Sequence, residues 1–320
     1  MITILGAGVA GLCAATVLSE RGLCVQVVDS GPEGVGASWL AGGMLAPFVE
    51  SESAPAEVAR LGLLAADWWA ARVPGVVRRG TLVVAPARDR AELERFAART
   101  KGHARIGQDR IAELEPDLAG RFASALYYPD EAHLDPRAAL SALADGLRRR
   151  GVAIRYDTQL APGQADIDCR GIAARDVLPG LRAVRGEMLL LRCRDLTLSR
   201  PVRLLHPRFP VYVVPRENGH FMVGATMVET DDPGPITLRS AVELMSAAFA
   251  LHPGFAEAAI VETGSGLRPA WPDNVPRISG AGGLLHLNGL YRHGFLTAPA
   301  LAGQLADMLT QSRQEAALAD

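Results

Sequence analysis

Gly6-Ala-Gly8-Val-Ala-Gly11 is a G-x-G-x-x-G spacing between an apolar run, Ile2–Leu5, and a helix-forming run, Leu12–Arg21. Such a turn does specific chemistry. Gly6 permits a tight bend, Gly8 lets the backbone approach a pyrophosphate, and Gly11 lets the helix pack against its strand. The helix N-terminus then offers N–H groups and a positive dipole end to the phosphates. Asp29 ends a second β-branched run, Val25–Val28, 18 residues after Gly11, where its carboxylate can accept from ribose hydroxyls. An acid there disfavours a 2′-phosphate, so NADP is the least favoured dinucleotide. The alternative is a glycine-rich turn in an unrelated α/β fold, which leaves the paired strands and the acid unexplained. The next segment separates FAD from NAD. Instead of another helix, the chain reads Gly34-Val-Gly36-Ala-Ser-Trp-Leu-Ala-Gly-Gly43-Met-Leu-Ala-Pro47, small residues that let a backbone pass close to a flat ligand.

Other chemistries are excluded by residue type. Of the 33 basic residues one is lysine, Lys101, and thirty-two are arginine. A Schiff-base or P-loop lysine would have to be Lys101, in a polar Arg-Thr-Lys-Gly-His stretch, so anion binding falls to arginine or to backbone N–H groups. The four cysteines contain no C-x-x-C, and the histidines show no metal spacing and no nucleophile elbow accompanies them, so no metal is expected. A net charge of −2 without a long basic cluster speaks against nucleic acid. Ile2–Leu18 is apolar but lacks a basic leader, and no run reaches ~18 uninterrupted apolar residues. A cytoplasmic protein with reduced, buried thiols and no stable membrane insertion is the expectation.

The elements that must position these residues read as follows. Residues 53–72 are expected to be helical, Thr81–Ala85 a strand and Arg88–Arg99 an amphipathic helix. Asp135-Pro136 is an N-cap followed by proline at the first helical position, starting a helix to Arg150. Gly151–Tyr156 and Asp166–Gly171 read as strands, as do Gly186–Arg194 and Val211–Pro215. Asn218-Gly219 turns the chain into a return strand, Gly219–Met227. Leu238–Leu251 is helical, Leu284–Leu287 a strand, and a helix runs from Ala298 to about Arg313. Helices alternate with strands at both ends and strands dominate the middle. The fold class is therefore α/β (two-domain α+β): a Rossmann-like domain with an inserted antiparallel β-rich domain.

Four further motifs follow in order: Tyr212-Val-Val-Pro-Arg216; Gly224-Ala-Thr-Met227; Gly266-Leu-Arg268-Pro269 with Asp273 and Pro276; and Gly289-Leu-Tyr-Arg292-His-Gly294 with Ala298-Pro299. With the N-terminal glycines they resemble, along the whole chain, the D-amino-acid oxidase superfamily of FAD enzymes, and within it the thiamine-pathway glycine oxidase branch. The resemblance implies an FAD-binding unit of residues 1–47, 133–180 and 264–320, and a substrate unit of 48–132 and 181–263. It places Val9, Ala10, Asp29 and Ser30 at the adenosine and pyrophosphate. Ala37, Ser38, Ala41, Gly42, Gly43 and Met44 fall on a second FAD stretch, and Leu160 at a backbone contact to adenine. Leu290, Tyr291, Arg292, His293, Gly294, Phe295 and Leu296 form the loop under the flavin.

By the same resemblance Arg268 holds the substrate carboxylate, with Arg292, Tyr212 and Met227 beside it. Read from residue type alone, Arg268 is equally a structural arginine at a strand end, Tyr212 a half-buried strand tyrosine and Met227 a core methionine. His293 and His133 read as structural, and no acid–base catalyst is required when the substrate binds as the neutral amine. The implied activity is oxidative deamination of glycine, with sarcosine or small D-amino acids as other candidates, O2 as acceptor and a homo-oligomeric assembly. A dehydrogenase using another acceptor, or a flavin-binding protein without turnover, are the alternatives. Two departures stand out: only Ala-Pro-Gly-Gln-Ala separates Leu160 from Asp166, where relatives carry a longer hairpin, and Pro210 replaces a polar residue beside Tyr212.

Overall fold

The computed structural model describes residues 1–206, 210–281 and 283–319, with the side chains of 281 and 312–319 outside the description. Two sheets divide the chain. The smaller has six strands in the order Arg277–Ala281, Leu284–Asn288, Ile167–Asp168, Ile2–Leu5, Val25–Val28, Ala153–Arg155. All run parallel except Arg277–Ala281, which forms an antiparallel hairpin with Leu284–Asn288. Ile2–Leu5 is apolar without alternation because both its faces are covered. The helices Val9–Glu20, Pro136–Arg149 and Gly294–Ala319 supply the cover, and the main core lies between them and this sheet. Asp135 caps its helix as expected, accepting from the N–H groups of Arg137 and Ala138.

The larger sheet has nine strands. Its centre is Arg182–Arg192, flanked by His220–Gly224 and Val211–Pro215 on one side and by Ala259–Ala270 on the other. Asn218 and Gly219 both take positive φ at the hairpin turn, the conformation their types favour. Helix Leu238–Leu251 packs on this sheet, and Met44–Leu45 pairs with Ala132–His133 between the two sheets.

Two expectations need correction. The boundary drawn at 263/264 falls inside the single strand Ala259–Ala270, which pairs over its length with Arg182–Arg192. That strand was hard to read because Gly264, Gly266 and Pro269 argue against one. The helical stretch expected over residues 53–72 is made of two short helices, Ala56–Gly62 and Ala65–Ala70. The last helix begins at Gly294, four residues before the expected start, and carries Pro299 inside. Pro299 has no N–H for the carbonyl of Phe295 four residues earlier. The buried Trp69 takes that place, its Nε1–H donating to Phe295 O at 2.8 Å.

Candidate active site

One cavity of about 500 Å³ runs from the first glycine turn to the face of the larger sheet. Its walls include Gly6, Gly8, Val9, Ala10, Asp29, Ala37, Ser38, Ala41, Gly42, Gly43 and Met44, all expected at the dinucleotide. Tyr212, Met227, Arg268 and the whole stretch Leu290–Leu296 line its other part. Three expected residues are elsewhere. Gly11 sits behind the wall, where a Cβ would approach Gly6 O to 1.8 Å, so its role is helix-to-strand contact. Ser30 is exposed and does not line the cavity. Leu160 does not line it either. The chain contacts the Asp29 carbonyl earlier, through Thr158 N–H at 2.9 Å. It then closes the shortened connection with the 3₁₀ turn Pro162–Gln164.

The residues present fit a dinucleotide. Gly6 has φ +94°, and a Cβ there would lie 2.6 Å from the Cys169 carbonyl oxygen. Helix Val9–Glu20 begins at the cavity wall. Ser38 Oγ accepts from Val9 N–H at 3.1 Å, a neutral oxygen at the acceptor position a phosphate oxygen would take. The N–H groups of Ala10 and Gly11 have no acceptor among the described residues. Asp29 accepts from Ala7 N–H through Oδ2 at 2.6 Å and from Gly31 N–H through Oδ1 at 2.8 Å. Each oxygen keeps a second lone pair for a ribose hydroxyl. The other long helix also opens here: Gly294 and Phe295 N–H groups lack acceptors among the described residues, which suits negative charge on the bound cofactor.

Arg268 projects from Ala259–Ala270 opposite Val184, and two residues along the ladder Gly266 faces Gly186. The guanidinium lies flat on Gly186: a Cβ built there would meet Nη2 at 2.0 Å and Cζ at 2.1 Å. Nη1 donates to Thr226 O at 2.9 Å. No carboxylate lies within 4.0 Å of Arg268 among the described residues. Burial lowers its pKa, yet an arginine stays charged at neutral pH, so this is an enclosed cation without an anionic partner. Tyr212 stands beside it on Val211–Pro215, opposite Gly224, with its ring against Gly42. Burial raises the Tyr212 pKa and Arg268 opposes the shift, so its hydroxyl stays a donor. Arg216, on the same strand's exit, donates to Gly42 O at 2.7 Å, tying the second FAD stretch to the larger sheet.

Arg292 is anchored rather than free. Its Nη2 lies 2.9 Å from Glu50 Oε2 and donates to Ser53 Oγ at 2.8 Å. Met227 is half exposed at the mouth, its Sδ taking Tyr291 Oη–H at 3.2 Å and Arg292 Nη1–H at 3.3 Å, so it is not a core methionine. His293 Nδ1 is 3.3 Å from the same Glu50 oxygen, and burial pushes its pKa down to about 4, leaving a neutral ring. Arg203 Nη1 reaches Glu50 Oε1 at 3.4 Å. Burial alone would raise the Glu50 pKa. Arg292 foremost, with Arg203, outweighs it and holds the carboxyl at about 2.

Sequence reasoning missed Glu50, Arg203, Gly186 and the Cys169-Arg170-Gly171 wall. Gly171, with φ +61° after the strand Ile167–Asp168, carried a readable turn signal. Glu50 and Arg203 carried none, since only the packing of the two sheets brings them together. No group of three or more His, Cys, Asp or Glu side chains suited to a metal occurs among the described residues, and no described helix is long and apolar enough to cross a membrane.

A family profile described as FAD-dependent oxidoreductase (DAO) matches residues 1–308. A relative named thiamine biosynthesis oxidoreductase ThiO, from Rhizobium etli, is 55% identical over 98% of both chains. Glycine oxidase of Pseudomonas aeruginosa is 27% identical over 97% of this chain and 94% of its own. The crystal structure of glycine oxidase from Geobacillus kaustophilus shares the fold, with a TM-score of 0.82 at 23% identity, covering 97% of this chain and 94% of that one. Glycine turn, paired cavity walls and whole-length similarity agree: the chain belongs to the DAO family of FAD-dependent oxidoreductases.

Proposed function

We propose that this enzyme oxidises glycine to its imine, that O2 takes up the electrons as H2O2, and that the imine feeds thiazole formation in thiamine biosynthesis. The observation that carries the reading is Arg268: an enclosed guanidinium without a carboxylate partner among the described residues, in the same cavity as the dinucleotide turn. Its planar fork matches a carboxylate bidentately. Bound FAD supplies the hydride acceptor. The chain supplies everything else. Arg268 fixes the substrate's carboxylate and the Tyr212 hydroxyl donates to it, which orients Cα–H. A substrate bound as the neutral amine assists hydride departure with its own lone pair, so no side chain has to remove a proton from carbon. Neutral His293, buried beside Glu50, acts as a loop anchor in this scheme.

The names of the relatives support glycine as substrate, and the cavity walls are compatible with a small one. The deciding experiment is anaerobic titration of the purified flavoprotein with glycine, sarcosine and D-alanine, followed by the visible spectrum. Glycine should bleach the flavin, and air should restore it with release of H2O2. Bleaching by a larger secondary amine or D-amino acid alone would overturn the glycine assignment. Restoration by a dye or quinone but not by air would overturn the oxidase assignment.

A further inference from the structure

The cavity holds more positive charge than Arg268 alone, and Glu50 decides how much of it a ligand meets. Arg292 and Arg203 both reach Glu50, at 2.9 and 3.4 Å. Arg203 also has Glu52 at 4.0 Å, a carboxylate shared with the largely exposed Arg99 at 3.1 Å. Three guanidiniums, those of Arg268, Arg292 and Arg203, thus face two carboxylates, and His293 is neutral. Of these three, Arg268 alone has no carboxylate within 4.0 Å among the described residues, which matches one carboxylate from a ligand.

We infer that Glu50 is a specificity-determining residue: by occupying Arg292 and Arg203 it leaves Arg268 as the single carboxylate-binding cation and so selects monocarboxylate amino acids against dicarboxylates. A second carboxylate carried into this enclosed space would lose its water and meet guanidiniums already paired, an uncompensated cost. Glu50 is placed for the task. It ends the short helix Pro47–Glu50, directly after the second FAD stretch, and the N–H groups of Phe48 and Val49 on that helix are held by the buried Glu131 Oε1 at 3.1 and 2.8 Å. Its side chain is 13% exposed, so solvent does little to screen it.

The inference rests on the proposed carboxylate clamp, and it is tested with ligands that cannot react. The FAD-loaded enzyme is titrated with acetate and with malonate, at a pH where malonate is a dianion, by calorimetry and by perturbation of the flavin spectrum. The wild type should bind acetate at least as tightly as malonate. Glu50→Gln, isosteric and uncharged, should raise the preference for malonate at least about tenfold, because it releases two buried cations. Glu50→Asp should lie between them. A wild type that prefers malonate overturns the inference without any variant. So does an unchanged acetate-to-malonate ratio in a folded, FAD-loaded Glu50→Gln, since a merely structural role weakens both ligands together. Failure of glycine to bleach the wild type would remove the proposed substrate and leave this ratio still decisive for Glu50.

Discussion

Gly186→Ala adds one methyl, removes no charge and touches no cofactor-turn residue, yet it should cripple substrate binding. Gly186 lies in the middle of the paired region of Arg182–Arg192, opposite Gly266, and its φ is not in the left-handed region, so alanine fits the backbone. The space is the obstacle. The new Cβ would stand 2.0 Å from Arg268 Nη2, 2.1 Å from Cζ and 2.6 Å from Nη1. Ordinary contact lies near ~3.5 Å, so the guanidinium must move by more than about 1 Å. It then loses its bond to Thr226 O or its bidentate geometry towards a carboxylate. Charged hydrogen bonds contribute about 1.5–3 kcal/mol each, and a 1 Å misplacement costs up to about a hundredfold in rate. We therefore expect kcat/KM for glycine to fall by about 30- to 300-fold, mostly through KM. The assay is steady-state O2 uptake together with anaerobic flavin reduction. FAD content and melting temperature, measured on the same samples, separate a displaced arginine from a misfolded sheet. A well-folded, FAD-loaded variant within about threefold of the wild type would refute both the flat packing of Arg268 on Gly186 and its role as the clamp.

Three other predictions follow from the same geometry. Arg268→Lys keeps the charge but neither the fork nor its fixed bond to Thr226 O, so kcat/KM for glycine should drop at least about a hundredfold with FAD retained; a tenfold loss or less would mean that charge alone suffices. Trp69→Phe leaves the Phe295 carbonyl without a donor beside Pro299 and loses volume in the core, which should cost about 2–4 kcal/mol in chemical denaturation, whereas a change under about 0.5 kcal/mol would show the carbonyl satisfied otherwise. Burial raises the Glu131 pKa to about 8, above its unfolded value, so the stability it confers is fully present below the unfolded pKa and is lost as pH rises through about 8. Glu131→Gln should accordingly gain melting temperature over the wild type progressively between about pH 5 and 8, and parallel curves for the two proteins would contradict the assignment.

The readable part of this protein is the part fixed by local chemistry. The turn Gly6–Gly11, the acid Asp29, the proline-capped helix at Asp135 and the hairpin at Asn218-Gly219 each need particular residue types at fixed short spacing, and each lies where that spacing puts it. Helix Leu238–Leu251 matches its periodicity to the residue. What failed depends on contacts far apart in the chain. In the early-starting last helix, Trp69, 226 residues from Phe295, satisfies the carbonyl that Pro299 abandons. Leu160 lies outside the cavity lining, two residues beyond the Thr158 N–H that meets the Asp29 carbonyl. Gly186 was visible as a glycine at a strand start, and its meaning as a place of close approach appears only once Arg268 is laid across it.

The thirty-two arginines do not all serve the same purpose. Of the thirty-two arginines, most of those other than Arg268 and Arg292 should tolerate lysine, from composition alone, and the exposed pairs such as Arg60–Glu57 and Arg110–Glu113 fit that view. Several buried ones do not. Arg200 spreads its donors over Glu115 and the carbonyls of Leu114 and Arg79, and Arg170 bridges buried Asp168 to Asp176. Arg216 reaches across to the Gly42 carbonyl. Each uses more than one edge of a planar group, which an ammonium cannot reproduce. Arg268 differs from all of these in one respect: its neighbours satisfy one donor and give it no anion. Among the described arginines enclosed in this fold, Arg268 is the guanidinium without a carboxylate, and that supports the proposed partner from outside the chain.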